Sequence, residues 1–288
     1  MQKEAFILRP MRLNDIGSAM KLSTAEGWNQ TKKDWKLFIE NPGNICMVAE
    51  CDNKIIGTAT AINYSNQVAW IGMVLVDKEY RGQGISKSLL ADIFKKSASC
   101  KSIKLDATPD GQQVYKKLGF KDEYLIARMA NLFMKNLPSD NDNDILPEPI
   151  QLKHIPEIIA LDEIIFGANR TQLIKSLVRE YPGKAEFVKR NNRITGFALG
   201  RDGNKYHHIG PVLASNITDT RILITKALTK LTHQPIIVDV LGDKEDLLTW
   251  LHSIGFIKQR HFTRMYKNEN TRPGITGKQY LICGPEFG

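Results

Sequence analysis

The chain repeats itself, and this internal repeat limits the folds that it can adopt more than any other feature does. Three segments of the first half return in the same order, at a nearly constant offset, in the second half. The matched segments are NKIIGTA (53–59) with NRITGFA (192–198), GMVLV (72–76) with GPVLA (210–214), and VYKKLGFKDEYLIARM (114–129) with WLHSIGFIKQRHFTRM (250–265). Ordered matches of this kind predict two copies of one fold.

A segment rich in Pro, Asp and Asn separates the two copies. PSDNDNDILPEP, residues 138–149, has little apolar surface to bury and therefore predicts a linker. We expect an N-terminal copy over residues 1–137 and a C-terminal copy over residues 150–288. A chain of 288 residues is long enough for each copy to bury a core of its own.

Hydrophobic periodicity predicts the elements of the first copy. A strand in ILRPMRL precedes two helices, near 15–22 and 32–39, and a hairpin formed by ICMVAEC and KIIGTATAI. VAWIGMVLV has the continuous apolar pattern of a buried strand, and a helix follows it. SIKLDAT is a further strand, GQQVYKKL a short helix, and a strand pair between Phe120 and Met129 closes the unit. The predicted order is β, α, α, β, β, β, α, β, α, β.

Charge and composition exclude several classes of protein. The formal net charge of +9 is spread over both halves with acidic residues interleaved, so we expect no nucleic-acid footprint. The apolar run VAWIGMVLV is too short to cross a bilayer, and MQKEAFILRP lacks the apolar core of a signal peptide, so no membrane or secretory role is expected. Cysteines are scattered without disulfide or zinc spacing, which favours a reducing cytoplasm and no metal site; they are Cys46, Cys51, Cys100 and Cys283.

The segment EYRGQGIS, residues 79–86, carries the strongest functional signal. It leaves a buried strand and opens a helix, so the free N–H groups of the first helical turn and the helix dipole favour an anion there. Gly82 and Gly84 would let a diphosphate approach the backbone. Neither the nucleoside-triphosphate loop nor the dinucleotide fingerprint fits the glycine spacing. The alternative is an ordinary surface turn.

The segment VDKEYRGQGIS (76–86) resembles the coenzyme A loop of the GNAT (GCN5-related) N-acetyltransferases, R/Q-x-x-G-x-G/A. VYKKLGF (114–120) resembles the tyrosine-bearing helix of that family, and the order of elements is similar throughout residues 5–130. Ser86 stands where the family usually has Gly or Ala. The resemblance implies an α/β (α+β) protein of tandem GNAT folds, each a mixed, mostly antiparallel sheet flanked by helices.

Four further segments narrow the resemblance to the two-domain bacterial YitH-type acetyltransferases, in which a degenerate GNAT copy follows an intact one. They are EGWNQT, LDATPDGQQVYKKLGF, LDEIIFGANR and GPEFG. This resemblance covers nearly the whole chain. It implies acetyl-CoA as the donor substrate and a small-molecule amine as the acceptor, without identifying the amine.

The same resemblance assigns residues to the donor site. The Val74 N–H would face the thioester oxygen, and the strand around it would pair with the pantetheine arm. Lys117, with Lys116, would reach the coenzyme phosphates, or these lysines only form a solvated face. The predicted donor-site residues are Val74, Leu75, Val76, Arg81, Gly82, Gln83, Gly84, Ile85, Ser86 and Lys117.

The reacting groups have candidates in the first copy. Tyr115 occupies the general-acid position of the family, or it packs on the apolar face of its helix. Asp106 is the first candidate for the base, with a solvent-facing or loop-capping aspartate as the alternative. Glu26 is the second candidate, and Trp28 either packs against the acceptor or belongs to the core. Because no cysteine lies in a motif, direct transfer is expected.

The second copy has lost these signals. Our alignment places Thr220 and Ile222 at the positions of the loop glycines, and Leu251 at the position of Tyr115. We therefore expect one coenzyme site per chain, and a second copy that completes the acceptor pocket or stabilises the chain. Two other functions stay open: an acyl-CoA-binding regulatory module with little activity, and a nucleic-acid-binding protein, against which the dispersed charge argues.

Overall fold

The computed structural model describes residues 5–134, 145–270 and 273–288; the first copy shows the predicted order of elements, and the second copy repeats it with one further strand at its end. The first copy contains β1 (Ile7–Pro10), α1 (Ile16–Ala25), α2 (Lys32–Glu40), β2 (Ile45–Cys51), β3 (Lys54–Tyr64), β4 (Val68–Val76), α3 (Ile85–Lys96), β5 (Ser102–Ala107), α4 (Pro109–Lys117) and β6 (Lys121–Asn131). The second contains β7 (Glu148–Pro149), α5 (Ile155–Phe166), α6 (Thr171–Glu180), β8 (Glu186–Arg190), β9 (Arg193–Arg201), β10 (His207–Ala214), α7 (Ile217–Thr229), β11 (Ile236–Leu241), α8 (Glu245–Ser253), β12 (Ile257–Asn268) and β13 (Gln279–Leu281).

Local sequence signals explain where the helices begin. Thr31 caps α2 in a capping box with Asp34, and Thr108 caps α4 ahead of Pro109. The helix α3 packs an apolar stripe on the sheet, which contains Ile85, Leu89, Leu90 and Ile93. No described helix is both long and apolar enough to cross a membrane.

The strands form one sheet of 13 strands rather than two separate sheets. Their order is β1-β2-β3-β4-β5-β12-β6-β11-β13-β10-β9-β8-β7. Among the described strands only β4–β5 and β10–β11 pair in parallel, and all other pairs are antiparallel. The predicted fold class, a mixed and mostly antiparallel sheet with helices, is confirmed.

The two copies exchange their long closing strands. β12, from the second copy, pairs with β5 of the first, while β6, from the first copy, pairs with β11 of the second. β12 and β6 also pair with each other at the centre of the sheet. The predicted strand pair between Phe120 and Met129 is wrong, because this segment is one continuous strand whose partners both belong to the other copy.

The predicted linker is shorter than expected. Its residues 138–144 lie outside the described residues, but Glu148 and Pro149 form β7 and pair with Phe187 and Glu186 of β8. Ile150, which follows, is buried. β7 therefore stands in the second copy where β1 stands in the first; its own two residues are exposed, and Ile150 anchors it through the core and through a hydrogen bond from its N–H to the Ala185 carbonyl.

Two buried ion pairs join the exchanged strands to their hosts. Arg264 of β12 holds Asp106 of β5 through Nε–Oδ1 (2.8 Å) and Nη2–Oδ2 (2.9 Å). Arg128 of β6 holds Asp239 of β11 through two bonds of 2.7 Å. In both cases the two residues are direct cross-strand partners, and all four side chains are nearly inaccessible. The internal repeat therefore reproduces the same interstrand pair twice.

We expect Asp106→Asn to lower the free energy of unfolding by about 3 to 5 kcal/mol, because it leaves the buried Arg264 cation without its partner. The double variant Asp106→Leu with Arg264→Met should lose clearly less of the free energy of unfolding, since neither member of the buried ion pair then remains as an unpaired charge. Urea midpoints and thermal unfolding measure both. A stable Asp106→Asn that lacks only activity would contradict this structural role.

Candidate active site

A cavity opens where β4 and β5 separate. The two strands pair only from Val68–Trp70 to Ser102–Lys104 and then diverge, leaving a cavity of about 340 Å³. β4 bulges at Met73, which has a φ of +52° and whose carbonyl accepts a hydrogen bond from Thr58 Oγ1 (2.8 Å). Val74, directly after the bulge, lines the cavity. The bulge re-aims the backbone at this point.

The glycine-rich loop lies at one end of the cavity with an open helix terminus. Gly82 and Gly84 have φ values of +80° and +85°, and a Cβ atom at either would meet no atom within 4 Å. No side chain caps α3, and its first hydrogen bond runs from the Ser88 N–H to the Gly84 carbonyl. The N–H groups of residues 85–87 thus have no helical partner, and the space before them fits a diphosphate.

Most of the predicted donor-site residues lie together around the cavity. The exceptions are Gln83 and Lys117; Lys117 is exposed on α4. Ile85 contributes only its backbone, because its side chain is in the core. The predicted residues that line the cavity are Val74, Leu75, Val76, Arg81, Gly82, Gly84, Ile85 and Ser86.

Glu26 and Arg81 connect the α1–α2 loop to the glycine-rich loop. Arg81 Nη2 donates to Glu26 Oε1 at 2.6 Å, and Lys78 Nζ lies 3.8 Å from the same oxygen. Arg81 Nε also donates to the Val76 carbonyl (3.3 Å). Glu26 lines the cavity as predicted, but its carboxylate is engaged by these cations. Its geometry favours a role in holding the two loops together over that of a base.

Tyr115 lines the cavity from α4. Its ring packs edge-on against Phe120, and among the described residues its hydroxyl has no hydrogen-bond partner. Burial raises the pKa of Tyr115 to about 12. The phenol therefore stays protonated at any physiological pH and can donate a hydrogen bond into the cavity. The ring packs on one side, as one of the two sequence interpretations predicts, and lines the cavity on the other; its role as the general acid remains a prediction.

Asp106 reaches the cavity wall, but Arg264 occupies both of its carboxylate oxygens. Arg264 also stacks on Trp70 at 4.5 Å and donates to Tyr124 Oη at 2.6 Å. Burial raises the pKa of Asp106 although the Arg264 guanidinium opposes this shift, and the hydrogen bonds from Arg264 leave neither carboxylate oxygen turned toward a reactant. Its role as the base remains a prediction, and the geometry favours a structural role.

The α1–α2 loop is fastened to the second copy. Asn29 Oδ1 accepts from the backbone N–H groups of Lys205 and Tyr206 (2.9 Å each), and Asn29 Nδ2 donates to the Tyr206 carbonyl (3.0 Å). Trp28 packs against the apolar core and also lines the cavity, so its contact with the acceptor remains a prediction. The cavity wall on this side therefore depends on both copies.

Sequence analysis missed a group of cavity residues that the exchanged strands and the GPEFG segment (residues 284–288) supply. They are Arg128, Arg260, Phe262, Pro285 and Glu286. The sequence singles out GPEFG for the family resemblance and residues 114–129, which contain Arg128, for the internal repeat, but it assigns neither Glu286 nor Arg128 to the site. The position of β12 and of GPEFG relative to the first copy depends on pairings between distant residues, which sequence periodicity does not show.

The GPEFG segment binds to the first copy. Trp70 Nε1 donates to the Pro285 carbonyl (2.9 Å), Tyr64 Oη donates to the Phe287 carbonyl (2.7 Å), and the Phe287 ring stacks on Phe38 at 4.9 Å. These contacts place the buried Glu286 side chain in the cavity wall.

In the second copy the chain itself fills the equivalent of the cavity. β10 and β11 pair directly only at His207–His208 with Ile236–Ile237, and β13 then lies between them. Leu281 of β13 pairs with Val212 on one side and Val240 on the other. The space that would receive a pantetheine arm therefore contains a strand.

The helix after β10 has no phosphate loop. Thr220 and Ile222 are not loop residues as our alignment predicted; they lie buried inside α7, because only Ser215 and Asn216 connect β10 to α7. Asn216 caps the helix, and the buried Asp219 carboxylate at its first turn binds Arg190. The loop is shortened rather than substituted. Leu251 is buried in the core, so no acid faces a cavity there.

Comparisons with known proteins agree with this arrangement. A family model described as acetyltransferase (GNAT) domain matches residues 42–122, and another with the same description matches residues 158–281. Each copy is thus matched separately.

Relatives of known sequence or structure span the whole chain. The chain is 22% identical over 288 residues to holothin acyltransferase of Pseudoalteromonas sp. (strain SANK 73390), and the match covers 100% of this chain and 96% of that relative. It is 23% identical over 274 residues to the uncharacterized N-acetyltransferase YitH of Bacillus subtilis (strain 168), covering 95% of each. A solved structure from Pyrococcus horikoshii superimposes with a TM-score of 0.82 at 20% identity, covering 100% of this chain and 97% of that one.

We expect Gly84→Val to abolish binding of coenzyme A while the fold persists. Valine is strained at positive φ, and its side chain would occupy the space in front of the α3 terminus. Titration calorimetry measures binding, and circular dichroism checks the fold. Gly17→Val, at a helical position where an added Cβ also meets nothing, is the matched control. Unchanged binding by Gly84→Val would show that the loop is only a turn.

We expect one coenzyme per chain, because β13 fills the second site and its phosphate loop is missing. Native mass spectrometry should show a single addition to the parent chain and none to Gly84→Val. A saturable addition that survives in Gly84→Val would reveal a second site and contradict the closed second copy.

Proposed function

The chain belongs to the GNAT family of acyltransferases, with two copies of the domain in tandem, and from this premise we propose that its first copy transfers an acetyl group from acetyl-CoA to a small amine. The observation that carries the proposal is a single cavity bounded by three elements. These are the open terminus of α3, the β4 bulge at Met73 and the hydroxyl of Tyr115. Each of these three features is common in proteins. Around one cavity they would bind the diphosphate, hold the thioester and donate a proton to the leaving thiolate.

The donor would lie along β4. The diphosphate would bind the free N–H groups that follow Gly84, and the pantetheine arm would extend between β4 and β5, where the strands separate. This places the thioester near Val74. A backbone N–H at the bulge would stabilise the negative charge that develops on the carbonyl oxygen.

The transfer balances without a further reactant. The amine, after losing one proton to solvent, attacks the thioester carbon; the N–C bond forms and the C–S bond breaks. The thiolate takes a proton from Tyr115, and the phenolate recovers one as the nitrogen loses its second proton. Products are the amide and the free thiol. Because the pKa of Tyr115 is about 12 and that of a thiol about 8.5, the proton transfer to the thiolate is uphill on its own, and the return of a proton from the nitrogen to the phenolate offsets it.

Direct transfer is further supported by the positions of the cysteines. All four lie in the described part of the chain, and none lines the cavity. Burial raises the pKa of both Cys46 and Cys283 to about 12, which suppresses their thiolates. An acetyl-enzyme intermediate therefore has no cysteine nucleophile among the residues that line the cavity.

The alternative function is an acyl-CoA-binding regulatory module. A thiol-release assay with acetyl-CoA against a panel of primary amines separates the two. Amine-dependent release with formation of the acetylated product supports the enzyme, and binding without release supports the module. Since one relative is named holothin acyltransferase, longer acyl-CoA donors belong in the same assay.

We expect Tyr115→Phe to lower kcat by about 100-fold with little change in the affinity for acetyl-CoA, because the phenol acts on the leaving thiolate and not on the bound ground state. Steady-state kinetics and calorimetry measure the two effects. Tyr266→Phe, which changes a tyrosine outside the cavity, is the control. A kcat near that of the parent would mean that water protonates the thiolate.

A further inference from the structure

Two charged side chains of the second copy line the cavity and have no part in the transfer described above. They are Glu286, in the GPEFG segment, and Arg260, in β12. Because any group that these two side chains bind would belong to the acceptor, the inference drawn from them rests on the proposed function.

Glu286 presents a buried carboxylate beside the reacting position. Its Oε1 accepts from Gln30 Nε2 (2.8 Å) and from Arg201 Nη2 (2.5 Å), whereas its Oε2 has no donor among the described residues. The segment lies directly on β4, since a Cβ at Gly72 would come within 3.0 Å of the Glu286 Cα. Gly72 immediately precedes the bulge at Met73. A carboxylate with one free oxygen at this place is suited to hold an ammonium group next to the thioester.

Arg260 presents a cation without a counter-charge in contact. Its guanidinium lies 5.1 Å from the centre of the Phe262 ring, which also has Arg128 at 4.9 Å. Asp239 is already held by Arg128, and among the described residues no carboxylate forms an ion pair with Arg260. Burial and the neighbouring Arg128 lower the pKa of Arg260, as expected for a cation that lacks a partner.

We propose that the acceptor is a small zwitterionic amine, whose ammonium group binds Glu286 and whose anionic group, a carboxylate or a phosphate, binds Arg260. The cavity of about 340 Å³ must hold the reactive end of the coenzyme as well, which leaves room for a small molecule only. Both recognising side chains come from the second copy, while the donor-binding groups come from the first.

The charge of the acceptor is tested first with the parent protein. Matched amines that differ in the anionic group are compared: glycine with glycinamide, phenylalanine with phenylalaninamide, and phosphoethanolamine with ethanolamine. We expect kcat/KM for the anionic member of at least one pair to exceed that of its partner by about 10-fold or more, the size of one charge-assisted contact. A preference for the anionic member of either of the first two pairs indicates that the acceptor carries a carboxylate, and a preference within the third pair indicates a phosphate.

The two side chains are then tested separately. Arg260→Gln should reduce the preference within the responding pair by about 10-fold. Arg193→Gln, an exposed arginine outside the cavity, should keep the preference of the parent. Glu286→Gln should lower kcat/KM for both members of every pair, with the affinity for acetyl-CoA retained. Because Glu286 also faces Arg201, thermal unfolding of Glu286→Gln is measured, and Glu286→Asp, which keeps the charge, should recover part of the activity.

The outcomes separate this inference from the function on which it rests. A parent enzyme that acetylates the members without the anionic group best, or an Arg260→Gln variant that keeps the parent's preference, overturns the zwitterionic acceptor while the acetyltransferase stands. Full activity of Glu286→Gln overturns the ammonium site alone. If the parent binds acetyl-CoA and acetylates neither an amine of the panel nor any member of the three pairs, the proposed function fails and the inference fails with it.

Discussion

The exchange of β6 and β12 between the two copies is the constraint on which the rest of the structure depends. Each exchanged strand brings a buried arginine to an aspartate of its host, Arg264 to Asp106 and Arg128 to Asp239. Withdrawing either strand would leave a charge buried without a partner, at a cost of several kcal/mol. The copies therefore behave as one sheet, and the wall of the cavity in the first copy is built partly from the second.

The two copies use the same geometric feature in opposite ways. Where two parallel strands diverge, their facing N–H and C=O groups lose each other as partners and must find others. Between β4 and β5 of the first copy this gap remains open as the cavity, and a ligand can supply the partners. Between β10 and β11 the chain supplies them with β13. The same stretch continues into GPEFG, so the strand that closes the second site leads directly to Glu286 in the first.

Polar contacts between loops give the cavity its boundaries. Arg81 connects the glycine-rich loop to Glu26, and Asn29 connects the α1–α2 loop to the backbone of residues 205–206. In the proposed reaction this divides the recognition of the two substrates, with donor contacts in the first copy and acceptor contacts from the second. A second copy that has lost its own site would then persist because the first copy's acceptor wall depends on it.

The sequence by itself determined the two copies, the order of their elements and the glycine-rich loop, because periodicity, caps and the positive φ of Gly82 and Gly84 are properties of neighbouring residues. It did not determine the strand exchange, since the apolar pattern of β6 is compatible with pairing to strands of either copy. Tertiary structure alone decided that Asp106 meets an arginine 158 residues away, and that Glu286 lies in the cavity. Such pairings depend on how much apolar surface and how many paired charges the whole fold buries, and no local segment determines that quantity.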